Sequence, residues 1–152
     1  MNIRNAVLAL IAALSLTACA SSNSSVASDG ASPQFRLTQA DPFLQDVLYF
    51  RGPISIRYQL DVTNPTDHEL ILRRLDLRTV ASGAYYLNTG ANTLNERIPP
   101  GGTSSLRLSV WGEARGGRLG STEPVNIRGL AYLQGPNGRT FSVPFTQYLP
   151  IQ

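Results

Sequence analysis

The most regular alternation in the chain runs from Ile54 to Pro65, where Ile54, Ile56, Tyr58, Leu60 and Val62 interleave with Ser55, Arg57, Gln59, Asp61 and Thr63. This period of two predicts a half-buried β-strand. Burying five such side chains contributes roughly 8 to 15 kcal/mol, about what ordering the backbone costs, so the strand needs a sheet and a facing layer. Asn64-Pro65-Thr66-Asp67 closes it as a turn, with Pro fixing φ and Asn or Asp capping.

The rest of the body repeats this pattern. Upstream, Phe35, Leu37 and Gln39 suggest a first strand, and Asp41-Pro42 ahead of FLQDVL reads as a capped helical turn. Downstream, Leu70, Leu72, Leu75 and Leu77 alternate except for a slip at Arg73-Arg74, and a β-bulge there would bring all four leucines to one face. After a small-residue turn at Ala81 to Ala84, Tyr85, Tyr86 and Leu87 make a short strand. Asn88 to Asn92 reads as a loop, and Leu94 and Ile98 lead into the turn Pro99-Pro100-Gly101-Gly102. Leu106, Leu108 and Val110 form the second clean strand, with Trp111 on the opposite face near its end. There Trp111 either packs into the core or over a sheet edge, the commoner use, or marks an interaction surface.

Gly112 to Thr122 reads as a glycine-rich loop carrying Arg115 and Arg118, with glycine spacing that matches no phosphate-binding loop. The chain finishes in a hairpin. Val125 to Leu133 is apolar on both faces, as in a strand near a sheet centre, and Gly135-Pro136-Asn137-Gly138 turns it back through Phe141, Val143 and Phe145. An outward Pro144 places that last strand at an edge. About seven short strands with turns between them predict an all-β fold, a β-sandwich over residues 34–152.

The first residues follow a different pattern. Arg4 precedes an apolar run from Ala6 to Leu14, too short to span a bilayer, and residues 1–18 read as a signal peptide. Leu16-Thr17-Ala18-Cys19 resembles the lipobox of bacterial lipoproteins. The resemblance implies cleavage between Ala18 and Cys19, diacylglycerol on the Cys19 sulfur and an acyl chain on its amine, and two or three chains hold a protein on a bilayer where one does not. With Ala rather than Asp at position 20, it further implies the outer membrane, with the domain facing the periplasm. Residues 19–33 then form the lipidated Cys and a small, polar, flexible linker, whose stretch from Ala20 to Ser32 has an r.m.s. span of roughly 20 Å.

Composition narrows the chemistry. The 152 residues hold 13 basic groups, all arginine, against 10 acidic ones, and loss of the leader leaves a net charge of only +2. That balance argues against a nucleic-acid partner. One cysteine excludes an internal disulfide and a cysteine-rich metal site, and one imidazole, His68 between Asp67 and Glu69, makes zinc improbable. No nucleophile elbow or paired carboxylates mark an active site, so no enzyme, metal or cofactor is expected beyond the acyl chains on Cys19. Candidate contact residues are Trp111, Arg115, Arg118 and the doublet Arg73 and Arg74. The doublet's commoner use is for one of the two to lie flat on the sheet edge and pair with Asp76 or Glu69, while Arg115 and Arg118 could meet lipid phosphates or another envelope polyanion.

The run ISIRYQLDVTNPTDHELILRRLDLRTVASG, IPPGG before a strand, and the hairpin ending GRTFSVPF are together similar to the water stress and hypersensitive response (WHy) domain of the late embryogenesis abundant type 2 proteins. Thr66 departs from that family's Asn-Pro-Asn signature. A short glycine-rich loop also replaces the helical segment the family often carries before its last hairpin. The resemblance implies an immunoglobulin or fibronectin type III-like sandwich, a role in stress protection and no catalytic residues. Two roles follow as expectations: protection or scaffolding of envelope proteins, or an adaptor docking through a sheet edge or the Trp111 region to one envelope complex.

Overall fold

The computed structural model describes residues 31–40, 51–80, 83–87, 91–115 and 124–149, which form eight strands in two antiparallel four-stranded sheets. The first sheet has the order β1 (Gln34–Gln39), β2 (Arg51–Thr63), β6 (Thr103–Arg115), β4 (Tyr85–Tyr86). The second has the order β5 (Ala91–Ile98), β3 (Leu70–Thr79), β7 (Val125–Gln134), β8 (Thr140–Leu149). The expected all-β sandwich is therefore present, with one strand more than the pattern suggested. The additional strand is β5, whose residues had read as a loop and a turn approach. The helical turn expected from Asp41 lies outside the described residues.

Alternation decides which side chains enter the core. From the first sheet come Leu37, Ile56, Tyr58, Leu60, Val62, Leu108 and Val110, and from the second Leu70, Leu72, Leu75, Leu77, Ile98, Ile127, Ala131 and Leu133. The leucines on β3 all reach this layer because the register shifts between Leu72 and Arg74 against both neighbouring strands, the predicted bulge. Strand β2 starts earlier than expected, at Arg51. Its Pro53 is tolerated because β1 pairs with β2 only from Tyr58 onward, so that stretch carries one ladder fewer.

Strands β1 and β8 close one flank of the sandwich. The Leu37 amide donates to Gln147 Oε1 at 3.4 Å, and the rings of Phe35 and Phe145 stack at 4.9 Å with an interplanar angle of 12°. Phe145 lies directly opposite Gly129 on β7 and spreads its ring over that glycine, so a Cβ at 129 would overlap three ring atoms. Gly129→Ala should therefore drive the ring off both Gly129 and Phe35 and cost about 1 to 3 kcal/mol, as overpacking does. Urea unfolding checks this, and a loss below about 0.5 kcal/mol would show that the ring moves freely.

Candidate interaction surface

The strand ends define two poles. At the first, β2 runs into the Asn64 turn and β3, β5 runs through Pro99 to Gly102 into β6, and the chain enters β1 at Gln34. Asn64, wholly buried, organises this pole. Its Nδ2 donates to the carbonyls of His68 at 2.8 Å and of Ile98 and Pro99 at 3.2 Å, while its Oδ1 accepts from the Thr66 amide at 3.1 Å and hydroxyl at 2.7 Å. Its own amide donates to Gly102 at 2.8 Å, and the Gly101 amide donates to Thr66 at 3.0 Å. One side chain thus ties the end of β2 in the first sheet to β5 and the approach to β3 in the second. His68 sits in this turn with Nδ1 3.0 Å from Asp67 Oδ1, and that hydrogen bond holds the Asp67 carboxyl below its ordinary range.

The opposite pole differs in character. The exposed large apolar side chains among the described residues are Trp111 at 69%, Tyr148 at 61% and Tyr86 at 41%, and all three sit towards this end. Trp111 is opposite Ser55 near the start of β2, Tyr86 is opposite Glu113 near the end of β6, and Tyr148 is opposite Asn126 at the start of β7. Trp111 and Tyr86 stand on the outer face of the first sheet, Tyr148 on that of the second. Trp111 therefore packs into neither the core nor an edge, which corrects the commoner use expected of it. Among the described residues β4 pairs with β6 only at Glu113 and Ala114, so at Trp111 the strand has β2 on one side alone, and the indole stands in solvent. The neighbouring rings of Trp111 and Tyr86 on the first sheet suit contact with a partner that covers aromatic area.

Of the arginine doublet, Arg74 makes the expected pair with Asp76, but not at a sheet edge. Strand β3 is interior, so neither arginine lies at an edge. Arg73, at the bulge, spans the outer face from β7 to β5, with Nε donating to Gln134 Oε1 at 2.7 Å and Nη1 to Asn95 Oδ1. Arg74 grips Asp76 with two bonds of 2.9 and 3.0 Å and lies 5.1 Å over the Tyr132 ring, while Glu69 pairs with Arg97 at 3.4 Å. Both guanidiniums are engaged within the sheet. Arg115 closes β6, because that strand continues through Gly112 and Glu113, which had read as loop. Arg118, Ala18 and Cys19 lie outside the described residues.

Two open grooves, of about 570 and 430 Å³, cross the outer face of the first sheet along β1, β2 and β6. The larger is lined by Thr38, Arg57, Gln59, Arg107 and Ser109, among others, and the smaller by Arg36, Asp61, Thr63 and Ser105, among others. Asp61 accepts from Ser105 Oγ at 2.5 Å and Gln59 Nε2 at 3.1 Å, and these bonds, the first above all, hold its carboxyl below the ordinary range. The smaller groove is therefore already internally bonded at its one carboxylate. Among the described residues no group of three His, Cys, Asp or Glu side chains is placed to hold a metal ion.

Comparison with known proteins places the chain by fold. No protein-family model matches it, and no curated protein matches its sequence. Among solved structures it is similar to a Bordetella pertussis protein designated ApaA, with a TM-score of 0.50 at 15% identity over 80% of this chain and 96% of that one. It is also similar to a protein from Archaeoglobus fulgidus, with a TM-score of 0.46 at 12% identity over 76% of this chain and 91% of that one. A late embryogenesis abundant protein solved in solution aligns with a TM-score of 0.42 at 12% identity over 78% of this chain and 70% of that one. At these identities the likenesses speak to the β-sandwich fold alone.

Proposed function

We propose that the protein is a non-enzymatic lipoprotein of the outer membrane, held by acyl chains on Cys19, whose WHy-like sandwich protects or scaffolds envelope proteins under stress. One observation carries the reading. Residues 19–33 lead into the sandwich at Gln34, and Trp111 and Tyr86 stand together on the outer face of the first sheet towards the opposite pole. An anchor at one end and an aromatic surface at the other is the arrangement a membrane-tethered docking domain needs. The resemblance of the body's strand and turn motifs to the WHy domain supports the stress role. The sole imidazole, half-exposed in the Asn64 turn and bonded to its neighbour Asp67, fits a turn residue better than a catalytic base.

The exposed pair Trp111 and Tyr86 also gives weight to the adaptor reading, by the Trp111 route rather than a sheet edge. Edge pairing is discouraged at β8 by the exposed Pro144 and at β5 by Glu96, which shares the inward face with Leu94 and Ile98. Cross-linking in cells through a photoreactive group at position 111, with Cys19→Ser as the mislocalised control, separates the roles. A diffuse set of envelope proteins that grows on drying or heating is expected. One stoichiometric partner would replace protection with the adaptor role, and products unchanged by Cys19→Ser would remove the anchored reading altogether.

A further inference from the structure

Arg78 and Arg128 lie fifty positions apart in the sequence and face each other directly across the ladder of β3 and β7. The register is secured beside them by the Val80 amide, which donates to the Asn126 carbonyl at 2.8 Å. Directly opposed residues hold their Cβ atoms about 5 Å apart, and two like charges so placed destabilise a sheet. Both side chains are exposed, and among the described residues neither has a carboxylate within ion-pair reach. The acid next to Arg78 on this face, Asp76, has both oxygens bonded to Arg74. Thr146 stands opposite Arg128 on β8, and the exposed ring of Tyr148 stands opposite Asn126.

We propose that Arg78 and Arg128 form an anion site for a phosphate monoester, with Thr146 as a further hydrogen-bonding group and Tyr148 as a platform for the sugar or ring that carries the phosphate. The charge decides the class. A phosphate monoester carries nearly two negative charges at neutral pH and accepts from two guanidinium forks at once, whereas a carboxylate offsets only one of them. A soluble sugar phosphate and a phosphorylated lipid head group share this chemistry. The site does not depend on the anchored reading, since it rests on register and charge within the sandwich.

The test uses the intact chain carrying Cys19→Ser, so that no acyl chain takes it to lipid. In phosphate, its thermal midpoint should exceed that in chloride of equal ionic strength by several degrees, saturating with concentration. Arg128→Gln should raise the midpoint in chloride by about 2 to 5 °C, because the repulsion is gone, and should abolish the gain specific to phosphate. Arg107→Gln, on the other sheet, should keep that gain. Glucose phosphate and vesicles of phosphatidylcholine with or without phosphatidic acid then separate the sources, with binding to the true source falling at least tenfold in Arg128→Gln. Equal midpoints in phosphate and chloride would overturn the proposal, as would a phosphate gain that survives in the double variant Arg78→Gln/Arg128→Gln.

Discussion

Asn64→Ala is expected to lower stability by about 3 to 5 kcal/mol, a large share of the roughly 5 to 15 that holds a domain of this size. The substitution removes the donor to three carbonyls and the acceptor for the Thr66 amide and hydroxyl, at a side chain with no solvent exposure. Each group left buried and unpaired costs about 1 to 3 kcal/mol, and water reaches only those near the rim of the turn. Asn64→Asp distinguishes lost bonds from lost volume. It keeps an acceptor for Thr66 but turns a carboxylate oxygen towards the three carbonyls, which disfavours the charged form and raises the folded-state pKa above the ordinary value of about 4. The unfolded state then binds fewer protons than the folded one across that interval, so stability is retained below it and falls as pH rises through the folded value. Urea midpoints for Asn64→Asp should therefore lie closer to wild type at acid than at neutral pH. A loss below about 1 kcal/mol for Asn64→Ala would mean that the turn holds without its side chain.

That node was half legible. Asn-Pro-Thr-Asp announces a capped turn, and nothing local announces that the cap reaches carbonyls more than thirty residues away, beside a separate turn of prolines and glycines. Thr66, where the sequence departs from the Asn-Pro-Asn pattern of the family it resembles, supplies the hydroxyl on Asn64 Oδ1, so the departure is absorbed by the same network. Strands with one buried face read clearly: the alternation of β2, the slipped leucines of β3 and the β7–β8 hairpin all kept their phase. Strand β5 did not, because an edge strand buries little and its inward face interleaves Glu96 with Leu94 and Ile98. The end of β6 was hidden by Gly112, which resembles loop but is a packing requirement, since a Cβ there would stand 2.9 Å from the Tyr86 carbonyl oxygen.

Surface chemistry was less legible still. Adjacent Arg73 and Arg74 drew notice as a doublet, yet the fold commits both to neighbours within the sheet. Arg78 and Arg128 drew none, because only strand register makes them a pair. Trp111 could be singled out from its place in β6, but its companionship with Tyr86 depends on the pairing of β4 with the end of β6. Charge and aromatic clusters that cross strands are properties of topology, which local pattern does not contain.

Two buried phenols give the second large effect, an alkaline collapse. Tyr58 and Tyr85 both face the core, and the Tyr58 hydroxyl donates to that of Tyr85 at 2.7 Å, which in turn donates to Gln39 Oε1 at 3.4 Å. Burial pushes the Tyr85 phenol up to about 12, and burial, followed by the neighbouring Tyr85, pushes Tyr58 higher still. With both raised, the folded state holds protons that the unfolded state releases above about pH 10, so the contribution is complete below that pH and is lost as pH climbs towards the folded values. Two phenols losing about 1.4 kcal/mol each per pH unit amount to roughly 5 kcal/mol between about pH 10 and 12, enough to unfold a marginal domain. The part of the tyrosinate absorbance that belongs to these two phenols should therefore rise cooperatively, together with loss of structure. Tyr58→Phe leaves Tyr85 its bond to Gln39 and should cost about 1 kcal/mol, whereas Tyr85→Phe strands the Tyr58 hydroxyl in the core and should cost about 1 to 3. The double Phe variant removes both demands and should flatten the alkaline limb. A limb that stays as steep in the double variant would place its cause elsewhere in the molecule.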